Sequence, residues 1–257
     1  MPGTLAAGLS YYSPGLRQDS HTHRTPHVSV LVAGSFCETT PRGEHSLCHG
    51  SIGFRADESR HAVRFGPAGA LILNVELPDW KDARTPASGV RWIGAPAPFA
   101  RDLLGLAASG RAGAGADLAD RLIDLWAIGV RPDRPSPLRP PGWLRDAAGR
   151  LLASPETTIA ALAAGLGVHR VHLARQFRRH YGMAPSTFRR RAMASRALSG
   201  ALARDGRLAD AAAEAGFADQ SHMARAVRET CAMSVGELRR LLLRQVSSVQ
   251  AGPPRIA

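Results

Sequence analysis

The chain has 257 residues, of which 44% are hydrophobic and 21% charged, and its formal net charge is +12. This length suffices for two ordinary domains, and the hydrophobic content excludes a disordered chain. No apolar run approaches the roughly 18 residues that a membrane-spanning helix needs, and the first residues lack the pattern of a signal peptide. Three cysteines do not make a disulfide framework. We therefore expect a cytoplasmic globular protein that has no membrane partner.

Residues 1–95 have the pattern of a small antiparallel β-domain. The runs "HVSVLVAGSF" and "ALILNVEL" are rich in β-branched and apolar residues and predict strands up to about Leu77. Glycines punctuate the short segments between these runs. Several short strands with glycine turns are typical of a sandwich or a barrel.

Residues 96–129 are predicted to be helical, because apolar residues recur there at three- and four-residue spacing. Such an apolar stripe must pack on the barrel or on a second subunit. We interpret the segment as a dimerisation helix, so a homodimer is expected. The stripe residues are Leu118, Leu122, Leu125 and Trp126.

Residues 130–142 contain five prolines and show no apolar periodicity. This composition predicts a semi-rigid linker between two domains.

The part of the chain after this linker carries most of the positive charge. Residues 143–257 contain 18 arginines, no lysine and 8 acidic residues, for a net charge of +10. Arginine suits phosphate and guanine recognition because its fork can donate two parallel hydrogen bonds. The charge distribution therefore favours a nucleic-acid partner for this half.

The same half contains an internal repeat. "IAALAAGLGVHRVHLARQFRRHYG" and "LADAAAEAGFADQSHMARAVRETCA" each begin with an alanine-rich helix pattern, break at Gly167 or Gly216, and resume as an arginine-bearing helix. A short helix, a glycine turn and a second helix predict a helix-turn-helix unit. The sequence therefore predicts two such units.

The second helices of the two copies keep the same register, with equivalent residues fifty positions apart. Apolar spacing places Leu173 and Phe177 inward in the first copy, and Met223 and Val227 inward in the second. The opposite faces carry arginine, glutamine, serine and small apolar residues, which suit base edges in the major groove. Base reading by two copies argues against a purely architectural DNA-bending protein. The residues expected to contact DNA are Arg170, Val171, Ala174, Arg175, Arg178, Gln220, Ser221, Ala224, Arg225 and Arg228.

The phrases "IAALAAGLGVHRVHLARQFRRHYGMAPSTFRRR" and "ADAAAEAGFADQSHMARAVRE" resemble the DNA-binding domain of AraC/XylS-type transcription regulators. The resemblance implies a domain over residues 143–245, a C-terminal tail over 246–257 and a long bridging helix from about Pro185 to Ala203. It also implies that both recognition helices enter successive major grooves on one face of double-stranded DNA. Positions that match the family's base contacts are Val171, Ala174, Arg175, Gln220, Ser221, Ala224 and Arg225.

The second unit departs from the family pattern. The family usually has phenylalanine at the positions of Met223, Val227 and Cys231, glycine at Ala232 and arginine at Met193. Smaller side chains in a core cost several kcal/mol unless neighbours fill the space. We therefore expect a looser second unit.

The N-terminal part resembles the cupin-like barrel that such regulators commonly carry, through "HTHRTPHVSVLVAGSF" and "GSIGFRADESRHAVRFGPAGALILNVEL". The resemblance implies metal ligands at His21, His23 and His61, with His27 in the place of the usual glutamate. Alternation puts the first two on one side of a strand, and imidazole suits zinc, nickel, copper or iron. An empty pocket or one for an organic ligand is the alternative. A further candidate ligand set consists of Cys37, His45, Cys48 and His49.

Together these features predict an α+β protein: a cupin-like sensor barrel, a dimerisation segment and an all-α DNA-binding domain. The predicted function is a sequence-specific transcription regulator that senses a signal or dimerises through its N-terminal domain. A small-molecule or metal effector is expected, and RNA polymerase is a partner if the protein is an activator. The alternative is a metal-dependent cupin enzyme with an appended DNA-binding domain.

Overall fold

The computed structural model describes residues 7–56, 59–77, 90–94, 97–109, 117–118, 120–122, 124, 140–203 and 206–249. The described residues form an antiparallel sheet followed by a helical region, which confirms the predicted α+β class. Most of the predicted linker, residues 130–139, lies outside the described residues.

The sheet has seven strands in the order β1-β6-β3-β5-β7, while β2 pairs with β6 and β4 pairs with β3. Only the last strand lies beyond the segment in which strands were predicted. It is a five-residue strand paired with β5, too short to give a clear periodic pattern. The strands are β1 (Ala7–Tyr12), β2 (Arg17–His21), β3 (His27–Thr40), β4 (Gly43–Cys48), β5 (Ser51–Arg55), β6 (His61–Glu76) and β7 (Val90–Gly94).

The two long strands, β3 and β6, each belong to two layers. The first half of β3 pairs with β5 and the second half with β4. The first half of β6 pairs with β2 and the second half with β1. The register between β3 and β6 shifts at Leu31–Ala33 and again at Gly34–Phe36. Bulges of this kind bend a sheet, so the sheet folds over on itself and encloses a cavity between the layers.

One layer consists of β1, β5, the first half of β3 and the second half of β6. This layer is buried on both faces. Side chains at alternate positions pack against helices: Leu9, Val28, Val30, Val32, Leu71, Leu73 and Val75. The intervening positions line a second cluster or the cavity: Tyr12, Ser29, Leu31, Ile72 and Asn74. Burial on both faces explains the nearly unbroken apolar runs of β3 and β6.

The helical region confirms the predicted repeat. The glycine turns have positive φ, +65° at Gly167 and +81° at Gly216, where glycine avoids the strain that a side chain would bring. The bridging helix α5 ends one residue earlier than predicted, and the last helix continues past residue 245 into the predicted tail. The helices are α1 (Ala97–Ala108), α2 (Gly142–Ala153), α3 (Ile159–Gly165), α4 (Arg170–Tyr181), α5 (Pro185–Leu202), α6 (Leu208–Glu214), α7 (Gln220–Cys231) and α8 (Val235–Val249).

The two helix-turn-helix units differ in how their cores are built. The first unit, α3–α4, has a core shared with α2 and the start of α5: Leu144, Leu151, Leu162, Leu173, Phe177 and Phe188. The second unit, α6–α7, shares one continuous core with the sheet, α1 and the later part of α5. Its contributions include Ala211, Phe217, Met223, Ala226, Val227 and Cys231.

Two residues of the predicted dimerisation stripe lie in this shared core. Leu118 is 1% exposed and Leu122 is 0% exposed within the single chain. Neither side chain is available to a partner, so the argument that they need a second subunit is wrong. Leu125 and Trp126 lie outside the described residues.

Candidate nucleic-acid interface and histidine cavity

The first recognition helix, α4, begins where the predicted contact residues begin. The Nδ1 atom of His169 accepts a hydrogen bond from the backbone N–H of Val171 at 3.3 Å. This cap satisfies a donor of the first turn and places Arg170 and Val171 at its exposed start. Val171 is 56% exposed although it is a large apolar residue.

The second recognition helix, α7, has a stronger cap. The Oδ1 atom of Asp219 accepts a hydrogen bond from the backbone N–H of His222 at 2.7 Å. Gln220 and Ser221 therefore occupy the first turn, and both are exposed. A carboxylate at this position also interacts favourably with the positive end of the helix dipole.

Burial separates the two faces of each recognition helix as the sequence predicted. The inward residues Leu173, Phe177, Met223 and Val227 are at most 1% exposed. Ala174 is half-buried, and the other nine predicted contact residues are exposed. Within the described part of the chain, no acidic side chain pairs with the exposed arginines of these faces: Arg170, Arg175, Arg178, Arg225 and Arg228.

The sheet explains how the second unit accepts smaller core residues than the family pattern. Met223 and Cys231 are 1% exposed and Val227 is fully buried, and they belong to the core that includes the sheet. The smaller residues therefore lie in a larger core, to which the sheet domain contributes, rather than in a core of the second unit alone.

The two recognition helices end in different ways. Gly182 follows α4 with a φ of +68°, and Ala232 follows α7 with a φ of +59°. Alanine is strained in this left-handed region because its Cβ atom approaches the following carbonyl oxygen. The second unit therefore keeps one strained residue at the end of its recognition helix.

The sheet domain contains a cavity of about 410 Å³ that opens to solvent. One part of its wall is apolar, with the ring of Tyr12 stacked on Phe65 at a centroid distance of 4.4 Å. The rest is polar and includes four histidines, namely His21, His23, His27 and His61.

Three of these histidines are close enough to bind the same metal ion. The side-chain nitrogens of His21, His23 and His61 that could bind a metal lie within 4.8 Å of one another. His27 is beside His23, with ring centroids 4.4 Å apart, but it is not a member of that triad. The expectation of a four-histidine site is therefore corrected to three. His21 ends β2, His61 begins β6 and His23 lies between β2 and β3, whereas His27 begins β3.

Hydrogen bonds to two of the three imidazoles orient them for metal binding. Nδ1 of His21 lies 2.7 Å from the carbonyl oxygen of Asp19, and Nδ1 of His61 lies 3.3 Å from that of Ser59. A carbonyl oxygen can only accept a hydrogen bond, so each Nδ1 is the donor and Nε2 is the nitrogen left for a metal.

Burial and nearby charges keep His23, His27 and His61 neutral at neutral pH. Burial, followed by the charges of His21 and Arg55, lowers the pKa of His23 to about 4. Burial, followed by Arg55, lowers the pKa values of His27 and His61 to about 3. Neutral imidazole is the form that binds a metal, so His23 and His61 are competent ligands at neutral pH.

A buried polar network forms part of the cavity wall, and the sequence analysis missed it. The guanidinium of Arg55 donates to Glu38 at 2.8 Å and to the hydroxyl of Ser29 at 2.7 Å, and Ser29 donates to Asn74 at 2.7 Å. Arg55 is 5% exposed and Glu38 is 0% exposed. The available signal was a charged residue of each sign inside otherwise apolar strands, since such charges are rarely buried unless paired.

The other candidate ligands lie elsewhere. Cys37 donates to the carboxylate of Glu44 at 2.9 Å. His49 is 2% exposed, its ring lies 4.8 Å from that of Phe188 in the first helical unit, and neither ring nitrogen has a partner in the described part of the chain. Burial, followed by the charge of Arg191, lowers the pKa of His49 to about 3. His49 thus belongs to a contact between the sheet and the helices.

Comparisons with known proteins bear mainly on the helical half. Residues 146–241 match the family model of a helix-turn-helix domain. A comparison with curated protein sequences found no match. No helix in the described part of the chain has both the length and the apolar character needed to cross a membrane.

Solved structures that align with the chain share little sequence with it. A structure of ToxT from Vibrio cholerae aligns over 93% of this chain and 99% of its own, with 10% identity and a TM-score of 0.41. An oxalate decarboxylase from Bacillus subtilis with Mn(II) centres aligns over 30% of this chain and 22% of its own, with 19% identity and a TM-score of 0.27. A protein of unknown function from Rhizobium leguminosarum aligns over 30% of this chain and 84% of its own, with 22% identity and a TM-score of 0.27.

The family match covers α3 to α7, the same elements that form the two capped units with exposed, arginine-bearing faces. Residues 146–241 are therefore a helix-turn-helix domain of the AraC type, and this domain supports a DNA-binding transcription regulator.

Proposed function

We propose that the protein is a sequence-specific transcription regulator that reads two successive major grooves with α4 and α7. The observation that carries this proposal is that α4 and α7 expose equivalent positions, fifty residues apart in the sequence. Each helix has an N-terminal cap and a buried opposite face. A solvated arginine-rich surface would not require equivalent residues at equivalent positions.

The side chains on these faces suit base readout. Arg175 and Arg225 can each hold the O6 and N7 atoms of a guanine, and Gln220 can hold an adenine. Ala174 and Ala224 are small, so each helix can approach the floor of its groove. The chemistry of the two faces therefore predicts a DNA site made of two half-sites.

The bridging helix supports a fixed spacing between the two half-sites. An 18-residue helix such as α5 is about 27 Å long, which is on the scale of the roughly 34 Å turn of B-DNA. Because a helix is stiff, we expect half-sites whose centres are about one helical turn apart.

Selection from random duplexes followed by footprinting tests this function. The expected product is a bipartite site with half-sites about 10–10.5 base pairs apart, bound with a steep salt dependence. Recovery of a single short site, or no enrichment over the starting pool, would contradict two-groove reading.

For the sheet domain we propose a sensory role in which His21, His23 and His61 hold a divalent transition metal such as zinc, nickel, copper or iron. Three close imidazoles favour such an ion over magnesium or calcium, which prefer oxygen ligands. A bound ion would join β2 to β6, the strands that carry His21 and His61, and would thereby stiffen the cavity wall.

Elemental analysis of untagged protein tests the metal site. We expect close to one ion per chain after incubation with the metals, and loss of that ion in His61→Ala. His45→Ala, a matched change on β4 outside the triad, should retain it. Absence of any ion in the wild type would exclude a metal signal and leave an organic effector for the cavity. Dimerisation and contact with RNA polymerase remain predictions.

A further inference from the structure

The second helix-turn-helix unit depends on the sheet domain in a way that the first unit does not. Phe188, near the start of α5, belongs to the core of the first unit. Residues of α5 from Met193 to Ala201 belong to the core that the second unit shares with the sheet. The bridging helix therefore changes partner along its length.

Two hydrogen bonds attach the later part of α5 to the sheet. The buried backbone N–H of Gly34 donates to the hydroxyl of Ser195 at 2.8 Å, and that hydroxyl donates in turn to the carbonyl oxygen of Arg191 at 2.8 Å. The hydroxyl of Tyr11 donates to that of Ser199 at 2.7 Å. Both bonds lie in the part of α5 that packs with the second unit.

We propose that Tyr11 and Ser195 are positioning residues through which the sheet domain fixes the second recognition helix, so that the sheet domain controls reading of the second half-site. This inference rests on the proposed function for its DNA consequence. The first unit has its own core, which meets the sheet at the turn Cys48–His49 and where α2 contacts β6. Loss of the two hydrogen bonds should therefore loosen α7 and leave α4 unchanged.

The strand that carries Tyr11 also connects this attachment to the cavity. Tyr11 faces the helices, while its neighbour Tyr12 faces the cavity and stacks on Phe65. Consecutive residues of a strand point to opposite faces, so β1 has the cavity on one side and α5 on the other. A change in the cavity that moves β1 would move the Tyr11–Ser199 bond with it.

Hydrogen exchange on the full-length protein without DNA tests the positioning role. In Tyr11→Phe we expect amides of residues 208–231 to exchange about three- to tenfold faster, the effect of losing one net hydrogen bond. Amides of residues 159–181 should keep the wild-type rate. The matched control is Tyr12→Phe, in which both segments should behave as in the wild type.

Ser195→Ala provides a second variant, because it leaves the buried N–H of Gly34 without its acceptor. Selective acceleration of residues 208–231 in Tyr11→Phe or Ser195→Ala supports the proposal. Equal acceleration of both units, or no change in either, overturns it.

Binding to duplexes in which one half-site is scrambled then tests the consequence for DNA. Tyr11→Phe should weaken binding about three- to tenfold on a probe that keeps only the second half-site, and should not weaken binding on a probe that keeps only the first. A wild type that binds no specific DNA would refute the proposed function, and the exchange result would still decide whether the sheet positions α7.

Discussion

Replacement of Ala232 by glycine should stabilise the protein. Ala232 has a φ of +59° at the end of α7, and a non-glycine residue in this region costs about 1–2 kcal/mol. Glycine loses about 0.4–1 kcal/mol more chain entropy on folding than alanine. The difference predicts a gain of about 0.5–1 kcal/mol, or about 1–4 °C in the thermal midpoint of a chain of this size.

Two matched variants isolate this effect. Gly182 has the same role after α4, with a φ of +68° and no neighbouring atom within 4 Å of the place that a Cβ atom would occupy. Gly182→Ala should therefore cost about 1 kcal/mol for conformational reasons alone. Ala213→Gly lies at an exposed position inside α6, where glycine should cost about 0.5–1 kcal/mol. Circular dichroism melts compare all three, and a lower midpoint for Ala232→Gly would refute the reasoning.

Three further substitutions test the interior. The pKa of His49 is about 3 in the fold and about 6.5 in the unfolded chain. Below pH 6.5 the unfolded chain binds a proton that the folded chain does not, so the free energy of unfolding should fall by about 2 kcal/mol between pH 7 and pH 5. His49→Leu should remove this loss in urea titrations at pH 7 and 5, whereas His45→Leu should not. Glu38→Gln removes the charge that compensates buried Arg55 and should cost about 3–5 kcal/mol, measured as a lower urea midpoint. Leu122→Glu places a charge in the core and should lower the urea midpoint at every protein concentration. A variant that keeps the wild-type urea midpoint but changes from dimer to monomer would restore the dimer interpretation.

The repeat of the helical half could be predicted from sequence because its signals are local. Caps, glycine turns and apolar spacing each act over a few residues, and the equivalent positions 175 and 225 emerged from that register alone. The exposed and buried faces then followed from helix geometry.

What the sequence could not show is the partner of each buried face. Leu118 and Leu122 formed a stripe that needs covering, and only the fold shows that the same chain covers it. Met223 looked like a poor substitute for an aromatic residue, because nothing in the sequence states that the sheet packs against it. The cavity site had a similar limit: spacing placed His27 with the other histidines, but pairing of β2 with β6 brings His21 to His61, and His23 joins them from the segment after β2.

The central claim is that each helix-turn-helix unit reads its own bases, and base-by-base binding measurements with Arg175→Ala and Arg225→Ala test it most directly. Each variant should lose about 1–3 kcal/mol of discrimination at a single base pair, and the two pairs should lie about one helical turn apart. Arg240→Ala, which removes an exposed positive charge on α8 that is not among the predicted contact residues, should leave every base preference unchanged. If Arg175→Ala and Arg225→Ala weaken specific and non-specific binding equally, the two arginines contact phosphates and the two-reader account is wrong.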